Sequence, residues 1–392
     1  MPAPLDSSRL RWSSRLRWDL APNRLTRLLD ERRSAGAAIL DLTESNPTTA
    51  GFSYPSEQIL AALADPRALR YHPAAAGMPS ARAAVSDYYS GRVSPDRILL
   101  TASTSEAYAF VFKLLADPGD EVLVPRPSYP LFDFLAALEG VRVVQYPLVY
   151  HGASYGSWTI DFDTLARAIT PRTRAIVLVN PNNPTGSFLK QAELAELTTL
   201  CRDHLLAIIS DEVFSDYILD QDPLLVRSLT EVTEIPTFCL SGLSKVAGLP
   251  QLKLGWIVTS APAFERLELI ADTYLSVSAP VQWAAPVLLG LRTRLQDQIL
   301  ARVRANRTFL SAEIGPTSPW TLLVTEGGWY AILEAPRIHT EEEWALSLLA
   351  DDGVLVQPGF FFDFEREAFL VISLLTSEEV FREGVRRILA RA

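Results

Sequence analysis

Cysteine, histidine, positive charge and long apolar runs are all scarce in this chain, and each shortage removes a class of function. Two cysteines, Cys201 and Cys239, both in apolar runs, leave no disulfide framework and suit a reduced, intracellular protein. The four histidines, His72, His151, His204 and His339, show no metal-ligand spacing, so no metal is expected. No apolar run approaches the ~20 residues of a membrane helix, and no signal peptide is visible, which points to a soluble, cytoplasmic protein. Lys and Arg number 36 against 46 Asp and Glu, a net charge of −10 that argues against nucleic acid or an anionic membrane as the main partner. Any phosphate site must then be local. What is present is a globular composition, 48% hydrophobic and 21% charged, in 392 residues, enough for two domains with large cores.

One stretch stands out: Ser241-Gly-Leu-Ser-Lys-Val-Ala-Gly-Leu-Pro-Gln-Leu-Lys253, followed by Leu254-Gly255-Trp256. The apolar run Phe238-Cys239-Leu240 reads as a buried strand that delivers Lys245 into a loop rich in Ser and Gly. Desolvation there would lower the lysine pKa and free its amine to form a Schiff base. Lys253, eight residues on, would suit a phosphate ester. A surface loop with two solvated lysines is the plainer alternative.

From Arg97 to about Ser260, short apolar runs alternate with helical stretches. Seven strands are expected, beginning at Ile98, Glu121, Val141, Ala175, Ala207, Thr237 and Trp256. The pattern gives an α/β fold: a large domain with a mainly parallel seven-stranded sheet covered by helices, whose ligands gather at the strand ends. Helices are also expected over Leu20 to Ala35 and Gln282 to Ile314. The C-terminal third, with strands near Trp320, Tyr330 and Phe369 and capping boxes at Thr340/Glu343 and Thr376/Glu379, reads as a smaller α+β domain. The division is an N-terminal arm and small-domain segment (1–45), a large domain (46–285) and a small domain (286–392). Ser7-Ser-Arg-Leu-Arg-Trp12 is repeated at once as Ser13–Trp18, too short for a solenoid and best read as a duplicated, mobile arm without chemistry.

Four further segments carry candidate chemistry. Ser103, Thr104 and Ser105 join a strand to a helix, where free N–H groups and the helix dipole hold phosphate, or where Ser103 or Thr104 simply caps the helix. Tyr129, after another strand, offers a stacking face or stabilises a turn. Asn180-Pro-Asn-Asn-Pro-Thr-Gly186 puts Asn183 at the carboxyl edge of the sheet, able to donate to a ligand oxygen. Asp211 ends a strand and wants a cation, for which a protonated ring nitrogen would serve.

In this order the five motifs resemble the fold-type I, pyridoxal-phosphate-dependent aminotransferases of class I/II, the aspartate aminotransferase-like superfamily, from about Leu42 to the C-terminus. The resemblance implies pyridoxal 5′-phosphate bound to Lys245, with its phosphate on Ser103–Ser105, Ser244 and Lys253. It also implies Tyr129 stacked on the ring, Asn183 on the 3′-oxygen and Asp211 on the ring nitrogen. Tyr71 matches a tyrosine that the family lends to the phosphate of a neighbouring subunit, which implies a homodimer with shared sites. Small-molecule amino donors and carbonyl acceptors are the implied substrates. A β-eliminating lyase or decarboxylase is an alternative on the same fold, and a non-catalytic binding protein a remoter one.

The departures concern the substrate. Phe214 stands where the family has a tyrosine, Lys253 and Gly242 replace an arginine and a serine, and Ser45 replaces a glycine of the first loop. Val371, in Phe369-Leu-Val-Ile-Ser373, occupies the place of the arginine that clamps a substrate carboxylate. Trp329 and Tyr330 after the Gly-Gly turn, and Phe360 after Pro358-Gly359, suggest an aromatic wall to the substrate pocket.

Overall fold

Apolar runs that end in turn-forming residues become strands when both faces can be buried. The computed structural model describes residues 12–16, 18–152 and 156–391. Of the repeated hexapeptides, Ser7–Arg11 and Arg17 lie outside the described residues. The strands before the central sheet's midpoint are β1 (Leu40–Asp41), β2 (Ile98–Thr101), β3 (Glu121–Arg126), β4 (Arg142–His151) and β5 (Ser157–Ile160). Then come β6 (Thr173–Val179), β7 (Ala207–Asp211), β8 (Thr237–Gly242) and β9 (Gly255–Val258). The C-terminal part adds β10 (Thr321–Leu322), β11 (Tyr330–Glu334), β12 (Val354–Leu355), β13 (Gln357–Pro358) and β14 (Phe369–Ser373).

Among the described residues, eight strands form the large sheet in the order β2-β9-β8-β7-β6-β3-β4-β5. The pairings from β4 through β3, β6 and β7 to β8 are parallel, while β9 runs antiparallel between β8 and β2. All seven anticipated strands are present, and β5 is an eighth. It pairs antiparallel with β4 at the sheet edge, and four residues of alternation give it too weak a signal to read from sequence.

Alternation along the strands feeds two cores. Val122, Val177, Ile209 and Leu240 face one helical layer. Their neighbours Leu123, Ile176, Ile208 and Cys239 face the other, because successive strand residues point to opposite faces. A third core joins Leu25 and Leu42 to the C-terminal part, where β1 pairs with β12 and an antiparallel sheet runs β10-β11-β14-β13. The chain's early residues thus complete the smaller α+β part.

Three local expectations are corrected. The first helix begins at Arg24, because the Asn23 side chain caps it by accepting from Thr26 N–H. The stretch from Gln282 to Ile314 is two helices, Ala279–Gly290 and Arg292–Glu313. Thr340 and Glu343 form the expected reciprocal capping box. Thr376 does not: the last helix is capped at Ser377, and the Thr376 hydroxyl donates instead to the Asp41 carbonyl at 3.2 Å.

Candidate active site

Parallel strands deliver their carboxyl ends to one edge of the sheet, and the turns that follow them converge there. The result is a cavity of about 330 Å³ lined by the Ser103–Ser105 turn after β2, Tyr129 after β3 and Asn183 after β6. Asp211 at the end of β7 and Ser244, Lys245 and Lys253 after β8 complete that side, with Ser45 and Tyr330 contributed by the smaller part.

Lys245 sits on a single helical turn, Leu243–Val246, rather than in an open loop. Tyr217, fully buried, donates its hydroxyl to the Lys245 carbonyl at 2.6 Å and fixes that turn. The amine lies over two aromatic faces, 4.7 Å from the Trp329 ring centre and 5.4 Å from that of Phe214. Burial pushes its pKa down to about 8, against the opposing pull of Asp211. Near neutral pH a usable fraction of this lysine is therefore an uncharged nucleophile.

Asp211 has the opposite problem. Burial raises its pKa to about 6, while the Val213 N–H, the Tyr108 hydroxyl at 3.2 Å and Lys245 favour the anion. A buried carboxylate with so few donors gains most from a cationic ligand atom.

The other end of the cavity is built for an anion. Ser103, in extended backbone, caps the helix Thr104–Leu115 by accepting from Glu106 N–H. The first-turn N–H groups of Thr104 and Ser105 have no intrahelical partner. Gly255 makes the approach possible: a Cβ there would lie 2.9 Å from the Ser103 carbonyl carbon and 3.1 Å from Thr104 N. Lys253 holds a left-handed backbone at φ 51°, a conformation that costs a non-glycine residue about 1–2 kcal/mol. Hydroxyls, first-turn N–H groups and a lysine converging at one point suit an anion such as a phosphate ester. Beside it, Asn183 is 8% exposed, and its Oδ1 is buried with no donor in the protein.

Four sequence candidates fall outside this lining. Tyr71 is 82% exposed and borders a second cavity of about 410 Å³ with His72 and Leu275. Trp329 is fully buried, serving as a platform under Lys245 rather than as cavity wall. Phe360 is 45% exposed on the surface. Val371 is fully buried in a cluster with Trp158, Ile332, Phe362 and Phe369. Tyr330 lines the cavity, as its place after the Gly-Gly turn suggests, whereas another lining residue, Tyr108, carries no signal of its own in the sequence. Tyr108 stands four residues after Thr104 on one helix, the spacing that brings it to the same face. Tyr330 reaches the cavity through its place on β11, where it packs near Phe362 and shares the cavity lining with Ser45.

The family model for aminotransferases of class I and II matches residues 37–388. The chain belongs to this family. Its members transfer amino groups with pyridoxal 5′-phosphate, and this protein is an aminotransferase. It is 28% identical over 362 residues to the glutamate-pyruvate aminotransferase AlaA of Escherichia coli K12, covering 88% of each chain. It is 30% identical over 344 residues to the alanine aminotransferase of Mycobacterium bovis, covering 83% of this chain and 78% of that one. An Escherichia coli aminotransferase structure superposes with a TM-score of 0.84 at 26% identity, covering 97% of this chain and 98% of that one. The Pyrococcus furiosus alanine aminotransferase shares the fold, with a TM-score of 0.85 at 24% identity and coverage of 97% and 99%. Among the described residues, no helix is long and apolar enough to cross a membrane.

Proposed function

We propose that the aminotransferase carries pyridoxal 5′-phosphate on Lys245 and moves an amino group from an amino acid or amine donor to a keto acid or carbonyl acceptor. The observation that carries the reading is the pairing of a desolvated Lys245 with a buried, cation-seeking Asp211 in one cavity that also holds an anion cradle. The residues fit the cofactor: the cradle matches a phosphate ester, and Asn183, whose Oδ1 finds no donor in the protein, lines the same cavity. When bound, the cofactor supplies an electron sink for the bond broken at the substrate Cα.

The chain's own residues do the rest. Ser103, Thr104, Ser105, Ser244 and Lys253 would hold the phosphate, Tyr129 would cover a ring face, and Asn183 would donate its Nδ2–H to the 3′-oxygen. Asp211 would pair with the ring nitrogen and favour its protonated form. Lys245 would hold the cofactor through Nζ, and the same amine would serve as the base for the proton at the substrate Cα. Phe214, lacking a hydroxyl, gives nothing to the 3′-oxygen and leaves that role to Asn183.

The test is to add the cofactor to apo-protein, follow the visible spectrum, and then add donor and acceptor. A bound chromophore that amines bleach with release of a carbonyl product is expected; a protein that takes up no chromophore defeats the proposal. Capture should also depend on pH with a fixed sign. The neutral amine attacks, so the capture rate rises with pH and levels off above about 8. A rate that is flat or falling across roughly pH 7 to 9 contradicts the burial-lowered pKa of Lys245.

We further propose a homodimer in which Tyr71 serves the partner's phosphate, supported by its exposure and by exposed Leu69 beside it. Tyr71→Phe should weaken cofactor retention by about 1 kcal/mol, the scale of one hydrogen bond. Light scattering that finds a fully active monomer rules the arrangement out.

A further inference from the structure

The two parts of the chain lend the catalytic cavity different charge. Both cations in its lining among the described residues, Lys245 and Lys253, are committed, one as the nucleophile and the other beside the Ser103–Ser105 cradle. The smaller part lends the cavity Ser45 and Tyr330, both neutral, and the neutral Asn183 lines it as well. The two parts meet closely: a Cβ on Gly186, three residues past Asn183, would lie 2.3 Å from the Gly327 carbonyl oxygen, just before Tyr330.

Behind Tyr330 the wall is apolar. Val371 pairs across the sheet with Ile332 and packs with Trp158, Phe362 and Phe369, and Tyr330 lies against the same cluster. The Phe362 ring centre is 6.4 Å from that of Tyr330. The nearby side-chain charge is negative. Glu44, adjacent to Ser45 and held by Asn46 N–H and the Thr49 hydroxyl, is close enough to oppose ionisation of Tyr330, whose pKa burial chiefly pushes up to about 12. Among the described residues, a substrate carboxylate seated here would lose water without meeting a cation in the cavity lining, and would face Glu44.

Resting on the aminotransferase reading above, we infer that the preferred amino donor is a primary amine whose α-carbon carries uncharged, apolar groups, an arylalkylamine rather than an α-amino acid. The donor loses its amino nitrogen and one α-hydrogen and becomes a ketone or aldehyde with oxygen from water. The nitrogen and a hydrogen pass to the carbonyl carbon of the acceptor, whose oxygen leaves as water, and the acceptor departs as an amine. Tyr330, Phe362 and the cluster around Val371 set the preference by offering aromatic and aliphatic contact in place of a counter-ion.

The experiment is a donor panel on the cofactor-loaded protein, with 1-phenylethylamine, alanine and glutamate compared by single-turnover bleaching of the chromophore. Binding of the unreactive pair 3-phenylpropanol and 3-phenylpropionate is read alongside by calorimetry. The arylalkylamine should exceed alanine and glutamate in kcat/KM by about 30-fold or more, the factor that an unpaired buried charge costs. The alcohol should bind more tightly than the acid. Alanine or glutamate reacting as well as the arylalkylamine, or the acid binding as tightly as the alcohol, overturns the inference and leaves the aminotransferase reading intact. No amine of either kind bleaching the chromophore defeats that reading itself. Val371→Arg introduces a cation into the cluster behind Tyr330. Where this variant folds, alanine turnover should rise by about 30-fold and the order of the two inhibitors should reverse. The wild-type panel decides the matter if it does not fold.

Discussion

Lys245→Ala should remain folded, retain no borohydride-reducible cofactor, and turn over donor and acceptor at least about 10⁴-fold more slowly, the upper range of a lost proton-transfer group. The fold survives because the contact that fixes the turn is made by the Lys245 carbonyl, which accepts from Tyr217 and persists in alanine. What disappears is the amine between the rings of Trp329 and Phe214. Its burial already disfavours the charged form, so removing it relieves a desolvation cost. Circular dichroism and urea unfolding check the fold, and mass spectrometry after borohydride checks attachment. An adduct that persists in the variant, for example at Lys253, assigns the nucleophile elsewhere and sinks the reading of the cavity.

Asp211→Asn should lower kcat/KM by about 30-fold to several-thousand-fold, because it removes the charge of one partner in a buried pair. Asparagine keeps the shape: its Oδ1 still accepts from Val213 N–H, while its Nδ2 must donate to the Tyr108 hydroxyl oxygen where Asp211 accepted, so the main change is the charge. The apo-protein should respond in the opposite sense. The Asp211 pKa stands at about 6 in the fold against an ordinary aspartate value of 3.8. Between those values the folded chain holds the proton more tightly than the unfolded one, so wild-type stability falls as pH rises through this window. The full penalty is present above about 6. Asparagine removes it, and the apo variant should unfold no earlier than wild type at pH near 8. A variant within threefold of wild-type activity would show that Asp211 faces no cation during turnover.

Much of the site was legible because its residues cluster at strand ends. An apolar run followed by Ser, Asn, Asp or Lys places that polar residue at the carboxyl edge of a parallel sheet, whatever the distance along the chain. Ser103, Asn183, Asp211 and Lys245 all follow that rule, and all line one cavity. Tyr108 and Tyr330 do not follow it. One enters by helical periodicity and the other by pairing on β11, and neither signal is strong without the fold.

Trp329, Phe360 and Val371 mark where local reading stops. Each stands beside a turn or on a strand in a way that suits a pocket, and sequence does not say which face of the small sheet meets the cavity. Strand pairing decided it. Tyr330 lines the cavity, Trp329 beside it turns into the core under Lys245, and Val371 packs with Ile332 behind the wall. By itself the sequence determined the α/β class, the strands' polar ends and the choice of Lys245 and Asp211 as candidates, because burial period and desolvation are properties of local composition. Only the tertiary structure decided that the anion cradle and the neutral, aromatic end belong to one cavity, because that depends on Ser45 and Tyr330 being carried to the sheet edge by a different core.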